Sequence, residues 1–334
     1  MHQSSNSTDL PTITVGITTF DRTELLIESV HSVISQTYPK IEIIIGNDNP
    51  ERKLTLESLG LEEDSGVRIE NHSNNLGEIS NLNWLLKESS GEYFTWLADD
   101  DLMHNQHIEL LWKQFTLNAN IGAAYSGFTS DLDKFLDLTN AFLTEDDSHT
   151  YNFKSFLNLY SRREIKLIGC YGIFKKKSLI DAGGFFRLGK GFSPYSDTLI
   201  PILISRKSDI AFLPVSTIYF RSHSASMSNS LTDLDAYISA EFDFLDQIRG
   251  SVAVETLEFQ SDVYEAFYNW FRENQLTVIL RSANPINRAL DSWLRACASN
   301  NKNFRRFGFN HRRGILDGLI IIIKHRVKTV LIKI

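Results

Sequence analysis

Between Thr12 and Ser130, short apolar β-branched runs alternate with longer stretches whose apolar residues recur at helical spacing, and this alternation constrains the fold more than any other feature. It is the pattern of βα units laid on a mainly parallel sheet. Ile13 to Thr18 predicts the first strand. Asp21 followed by Glu24 has the spacing of a capping box, and Leu26, Val30, Val33 and Ile34 give the next helix an apolar face that stops before Pro39. Ile41 to Ile45 predicts a buried strand, Val67 to Glu70 a third, and Glu78 to Glu88 a helix with Ile79, Leu82 and Leu86 on one face. Tyr93 to Leu97 then predicts a strand that runs straight into Asp99-Asp100-Asp101. Polar clusters therefore follow Thr18, Ile45 and Leu97, each at the carboxyl end of a strand. Ligands bind at that edge of open α/β sheets, because loops diverge there and helix N-termini present free N–H groups.

After Ser130 the pattern is mixed. A helix is expected near Tyr151 to Tyr160, a strand near Gly169 to Phe174, a helix from Ser178, a turn at Gly183-Gly184 and a helix from Asp197. Ile210 to Phe220 reads as an extended segment interrupted by Pro214, and from Leu231 the chain reads as consecutive helices with Pro285 as one boundary. The expected organisation is a disordered segment at 1–11, an α/β domain at 12–229, and a helical appendage at 230–334.

With 334 residues, 42% hydrophobic and 22% charged, the chain can bury a sizeable core. Its net charge of -7 argues against nucleic acid as a general partner. Cys170 and Cys297 show neither metal-ligand spacing nor a disulfide framework, which fits a reducing compartment. Met1 to Leu10 lacks the apolar stretch of a secretory signal, and the apolar run Gly314 to Ile323 falls short of the roughly 20 residues of a spanning helix, so a cytoplasmic location is expected. Basic residues from Lys302 to Lys333 are interleaved with Phe304, Phe307, Phe309, Ile315 and Leu319, with Asp317 the only acid. Such a segment is suited to peripheral contact with an anionic membrane surface, to packing on the α/β domain, or to a homodimer contact.

Three adjacent aspartates repel one another, a cost that a divalent cation relieves. Mg2+ and Mn2+ bind hard oxygen ligands, often one or two carboxylates together with substrate phosphates. Standing alone, the triplet reads first as a solvated acidic turn or as the cap of a helix running from Leu102 to Phe115.

The segments around the triplet decide between these readings. Val15 to Arg22, Ser35-Gln36-Thr37-Tyr38-Pro39 with Ile41 to Asp48, Asn75-Leu76-Gly77 with Asn83, and Gly91 to Asp101 together resemble, in order and spacing, the family 2 glycosyltransferases of GT-A fold, over most of Thr12 to Ser228. The resemblance implies a Rossmann-like catalytic domain that moves a sugar from a nucleotide-diphosphate donor to a hydroxyl of a saccharide or lipid-linked acceptor, with inversion and with Mn2+ or Mg2+. The setting it implies is bacterial cell-surface polysaccharide or glycolipid assembly. It places Thr19 and Phe20 beside the nucleobase, Asp48 on the base edge, Arg22 on the nucleotide, and Asn75, Gly77 and Asn83 along the base and ribose side. Asp99 would approach the ribose, Asp100 would be the principal metal ligand, and Asp101 would support the turn or cap the next helix. Gly183-Gly184-Phe185 followed by Ser196-Asp197 resembles the family segment carrying the base that deprotonates the acceptor, which makes Asp197 the catalytic candidate. Tyr219 to His223 resembles the segment whose histidine approaches the diphosphate or its metal, and His223 is the second metal candidate.

Ala98 stands where the family motif has Asp, Thr18 where it has Pro, Asn47 where Asp is frequent, and Ser196 where it has Glu. Two alternatives therefore stay open: a nucleotide-sugar-binding relative without catalysis, and a sugar nucleotidyltransferase. Against the second, Thr18 to Glu24 contains no glycine for a phosphate loop.

Overall fold

The computed structural model describes residues 10–137, 148–169, 171–189, 193–222 and 234–281. Cys170, His223, the Ser224 to Ser230 loop, Pro285, Cys297 and the basic tail lie outside the described residues, as do residues 1–9. The described residues form two compact units: one made of 10–156, 165–186 and 197–222, the other of 157–164, 187–196 and 234–281, each within the described ranges.

The first unit is built on a sheet that has nine strands among the described residues. In chain order its elements are β1 (Ile13–Thr19), α1 (Thr23–Ile34), β2 (Ile41–Asn47), β3 (Val67–Asn71), α2 (Glu78–Glu88), β4 (Tyr93–Ala98), β5 (Leu102–Met103), α3 (His107–Leu117), β6 (Ile121–Thr129), α4 (Leu132–Asp137) and β7 (His149–Tyr151). They continue with α5 (Phe153–Ser161), whose residues from Leu157 belong to the second unit, β8 (Gly172–Lys175), α6 (Lys176–Asp181), α7 (Ser196–Ser205), whose first residue belongs to the second unit, and β9 (Asp209–Tyr219). The strand order is β3-β2-β1-β4-β8-β6-β9-β5, with β7 paired to β9. Strands β3, β2, β1 and β4 are mutually parallel, β8 runs antiparallel between β4 and β6, and β6 and β9 are parallel.

The apolar pattern explains the packing. Ile13, Val15 and Ile17 of β1 are fully buried, as are Leu26 and Val33 of α1 and Leu82 and Leu85 of α2. Helix α2 follows the predicted bounds, with Ile79, Leu82 and Leu86 all buried. Ile34 does not join the core: it is 42% exposed at the end of α1.

Two local expectations are corrected. The Asp21 and Glu24 capping box does not form, because Arg22 occupies the N-cap position of α1 without a side-chain cap bond. Asp21 instead adopts φ 59 and its carboxylate pairs with Arg52 at 2.7 Å, so a tertiary ion pair takes the side chain that a local cap would have used. Nor does a helix run from Leu102 to Phe115. Leu102 and Met103 pair antiparallel with Tyr219 and Ile218 of β9, and the helix starts only at His107. Sheet pairing overrides helical spacing there, and Asp101 is no helix cap.

In the second unit, α8 (Leu234–Val252) and α9 (Leu257–Arg281) carry the core. Phe244 packs on Phe267 and Phe271, with ring centroids 5.0 and 5.3 Å away, and all three are buried. Beside them Glu241, 5% exposed, accepts hydrogen bonds from the Tyr195 hydroxyl at 3.2 Å and Gln275 Nε2 at 2.5 Å.

Candidate active site

Parallel registration brings the predicted loops to one edge. Thr19 of β1 lies opposite Asn47 of β2, and Thr18 lies opposite Ala98 of β4. The next residues of all three strands, Phe20 to Arg22, Asp48 and Asp99 to Asp101, therefore leave the sheet side by side.

Asp99 is fully buried. Its Oδ2 accepts hydrogen bonds from the Thr19 hydroxyl at 2.6 Å and from Arg22 Nε at 3.3 Å, while Arg22 Nη2 approaches Oδ1 at 2.5 Å. The same guanidinium reaches Asp100 through Nη1, 2.5 Å from Oδ2. Arg22 thus holds both carboxylates in a charge-assisted fork. Burial pushes the Asp99 carboxyl up to about 6, with Asp100 adding to the rise and Arg22 and Thr19 opposing it. Phe20 is 49% exposed at this edge, an apolar ring face open to a ligand.

The third aspartate behaves differently. Asp101 is 1% exposed, accepts the Tyr171 hydroxyl on Oδ2 and the Arg221 N–H on Oδ1 at 2.8 Å, and through its carbonyl accepts the Ser29 hydroxyl at 2.7 Å. Burial and the neighbouring Asp100 push it up to about 8. It ties α1, the turn before β8 and the end of β9 to the acidic motif, and its oxygens already face protein donors.

Asp48 is 5% exposed, and its two oxygens accept the backbone N–H groups of Leu76 and Gly77 at 2.7 and 2.8 Å. The Gly77 N–H also faces the Asn75 side-chain oxygen at 2.9 Å. Gly77 sits at φ 78, which a side chain would strain, and it opens α2. These three residues form one clamped turn beside β2. Asn83 lies further along α2. Its amide donates to the Phe185 carbonyl at 2.8 Å and accepts the Phe185 N–H at 3.0 Å, so it fastens α2 to the Gly183-Gly184-Phe185 turn.

Asp197 lies in the first turn of α7, which begins one residue before it. It is partly exposed, and burial raises its pKa, opposed by the N–H groups of Thr198 and Asp197 itself. Gly169 makes room for it: a Cβ there would stand 1.7 Å from the Asp197 carbonyl oxygen. Glu78 was not singled out from sequence, where a glutamate in a first helical turn reads as ordinary helix electrostatics. Its side chain is exposed, and the charges of Asp197, Asp99 and Asp100 raise its pKa, with Arg22 opposing. Glu78 therefore joins the acidic motif and Asp197 in one electrostatic neighbourhood. Tyr171 and Arg221 were also missed, because their partner lies 70 and 120 residues away.

Comparison with known proteins assigns the chain to a family. The model of the family described as glycosyl transferase family 2 matches residues 14–181, which include β1 to α6. An uncharacterized glycosyltransferase of Rickettsia bellii is 32% identical over 107 residues, covering 32% of this chain and 15% of the relative. The GalNAc(5)-diNAcBac-PP-undecaprenol beta-1,3-glucosyltransferase of Campylobacter jejuni is 30% identical over 118 residues, covering 35% of this chain and 37% of that protein. The chain thus spans well under half the length of these curated relatives. Among solved structures, residues 1–349 of S. aureus TarS in complex with UDP-GlcNAc align with TM-score 0.60 at 12% identity, covering 91% of this chain and 92% of that one. The mannosyltransferase PcManGT from Pyrobaculum calidifontis, in complex with GDP-Man and Mn2+, aligns with TM-score 0.55 at 14% identity, covering 95% and 86%. These structures share the fold: a mixed α/β architecture of GT-A type. The chain belongs to glycosyl transferase family 2.

Proposed function

We propose that the chain transfers a sugar from a nucleotide-diphosphate donor to an acceptor hydroxyl with inversion at the anomeric carbon. The observation that carries this reading is the convergence of Thr19, Arg22, Asp99 and Asp100 at the carboxyl edge of the parallel strands, in a chain of this family. Phe20 offers the nucleobase a face, and the clamped turn of Asp48, Asn75 and Gly77 shapes the base side of the pocket. Arg22 supplies the positive charge that a diphosphate requires. The GDP-Man and UDP-GlcNAc bound by the structural neighbours support a nucleotide-sugar donor.

The donor set fits a divalent cation. Asp99 and Asp100 present hard oxygens already arranged around one cationic group, although among the described residues no cluster of three or more His, Cys, Asp and Glu could hold a metal. Asp100 would be the principal protein ligand, with phosphate oxygens completing the shell, as Mg2+ and Mn2+ sites commonly do. Bound there, Mn2+ or Mg2+ would neutralise charge developing on the departing diphosphate. His223 stays the second ligand candidate. Asp101, saturated by Tyr171 and Arg221, holds the frame.

Asp197 acts as the base that takes the acceptor proton. Its place in the first turn of α7 favours the carboxylate, and its raised pKa makes it a better proton acceptor. Attack on one face while the diphosphate leaves from the other inverts the centre. Asp197→Asn should abolish transfer while donor binding stays within about twofold, as expected for a group acting only in the transition state; near-normal turnover would remove the assignment. The undecaprenol-linked acceptor in the Campylobacter relative's name supports a saccharide or lipid-linked acceptor in cell-surface glycan synthesis. We assign catalysis to residues 12–229 and, to the basic tail, contact with an anionic membrane on its cytoplasmic side. No helix among the described residues is long and apolar enough to cross a membrane.

A further inference from the structure

The grip of Arg22 on the two aspartates carries an inference that rests on the metal reading above. We propose that Arg22 is a displaceable counter-ion: it holds the Asp99 and Asp100 carboxylates until a divalent cation arrives with a nucleoside diphosphate, then moves its guanidinium onto the diphosphate oxygens. Cation and nucleotide would thereby bind cooperatively through this one side chain.

The carboxylates need a positive partner at all times. Asp99 is fully buried and Asp100 is 8% exposed, so two adjacent negative charges sit largely out of water. An uncompensated buried charge is strongly destabilising. Arg22 reaches Asp99 with two nitrogens and Asp100 with the third, beside the hydrogen bond that the Thr19 hydroxyl donates to Asp99. The oxygens it holds are the ones a cation would ligate, and a guanidinium and a metal ion cannot both sit against them without repelling each other.

Arg22 is also the member of the cluster best placed to leave. Its side chain is 28% exposed, whereas the Asp99 side chain is sealed. It stands at the start of α1 with no side-chain capping bond, just after Asp21, whose φ is 59. The carboxylates, by contrast, stay anchored when it goes: Asp99 through the Thr19 hydroxyl, and the motif as a whole through the bonds of Asp101 to Tyr171 and Arg221. A diphosphate offers the guanidinium fork the same paired oxygens as a carboxylate. A cation alone must evict Arg22 with no anion to receive it. A cation carried in with a diphosphate supplies that anion.

The test is Mn2+ binding to the full chain and to Arg22→Gln, read from the EPR signal of free Mn2+, alone and with saturating UDP or GDP, with circular dichroism to check folding. The wild-type chain should bind Mn2+ weakly alone and on the order of 10- to 100-fold more tightly with nucleotide, within the usual range of coupling between sites. Arg22→Gln should bind Mn2+ alone about tenfold more tightly than wild type, with the nucleotide enhancement reduced by a similar factor. Arg22→Lys keeps the charge without the fork and should fall between; it carries the test if the glutamine variant does not fold. Equal or weaker binding of Mn2+ alone by the variants overturns the counter-ion role while leaving the metal site standing. Absence of Mn2+ binding in every protein, with or without nucleotide, overturns the metal reading and this proposal together.

Discussion

Replacing Asn83 by alanine separates a structural role from a ligand-binding one. The amide of Asn83 satisfies the N–H and the carbonyl of Phe185, a residue 3% exposed whose ring packs against Trp96 with centroids 5.0 Å apart. Removing the amide leaves two backbone groups without partners in a buried turn. A buried group left unsatisfied costs roughly 1–3 kcal/mol, so the variant should lose about 3 kcal/mol of unfolding free energy. The loss should appear in urea titrations as a shift of the midpoint to lower denaturant with an unchanged slope. Tryptophan fluorescence is a suitable probe because Trp96 sits on Phe185. Nucleotide affinity, measured by calorimetry on the folded variant, should stay within about twofold of wild type, since the Asn83 amide is taken up by the backbone of Ile79 and Phe185. A variant of wild-type stability with weakened nucleotide binding would refute this and return Asn83 to the donor pocket.

Three further outcomes follow from the same structure. Burial raises Glu241 to about 8, opposed by Gln275 and Tyr195, whereas an unfolded glutamate ionises near about 4.3. The native state then holds the extra proton across that window, so this residue's contribution to stability falls as pH rises from about 4.3 towards 8. Glu241→Gln should flatten the dependence of melting temperature on pH between 5 and 8, and parallel profiles would count against the assignment. Gly169→Ala places a Cβ 1.7 Å from the Asp197 carbonyl oxygen, so the backbone must shift; a loss of about 1–3 kcal/mol in denaturant titrations is expected, together with loss of transfer. Truncation near Asn300 should abolish flotation with anionic liposomes, and equal recovery of both chains would end the membrane role of the tail.

The parallel half of the sheet was legible because its signals are local. Each of β1, β2, β3 and β4 is a short apolar run closed by a polar cluster, and α2 carries its core stripe at regular spacing. The side-by-side exit of Thr19, Asp48 and Asp99 follows from that register alone. What stayed hidden depends on partners distant in sequence. Leu102 and Met103 look helical until β9 claims them, and Asp21 looks like a cap until Arg52 pairs with it. Asp101 is one of three similar residues on paper; Tyr171 and Arg221 give it a different task from Asp99 and Asp100. Glu78 gains meaning only when the fold sets it facing Asp197 and the acidic motif.

The central claim is that the Arg22, Asp99 and Asp100 cluster serves transfer from a nucleotide sugar. Its most direct measurement is release of nucleoside diphosphate from a panel of nucleotide sugars by the full chain with Mn2+, compared with Asp100→Asn. The account predicts nucleoside diphosphate from at least one donor, lost in the variant. Release of pyrophosphate instead, or tight donor binding with no release under any acceptor condition, would contradict it.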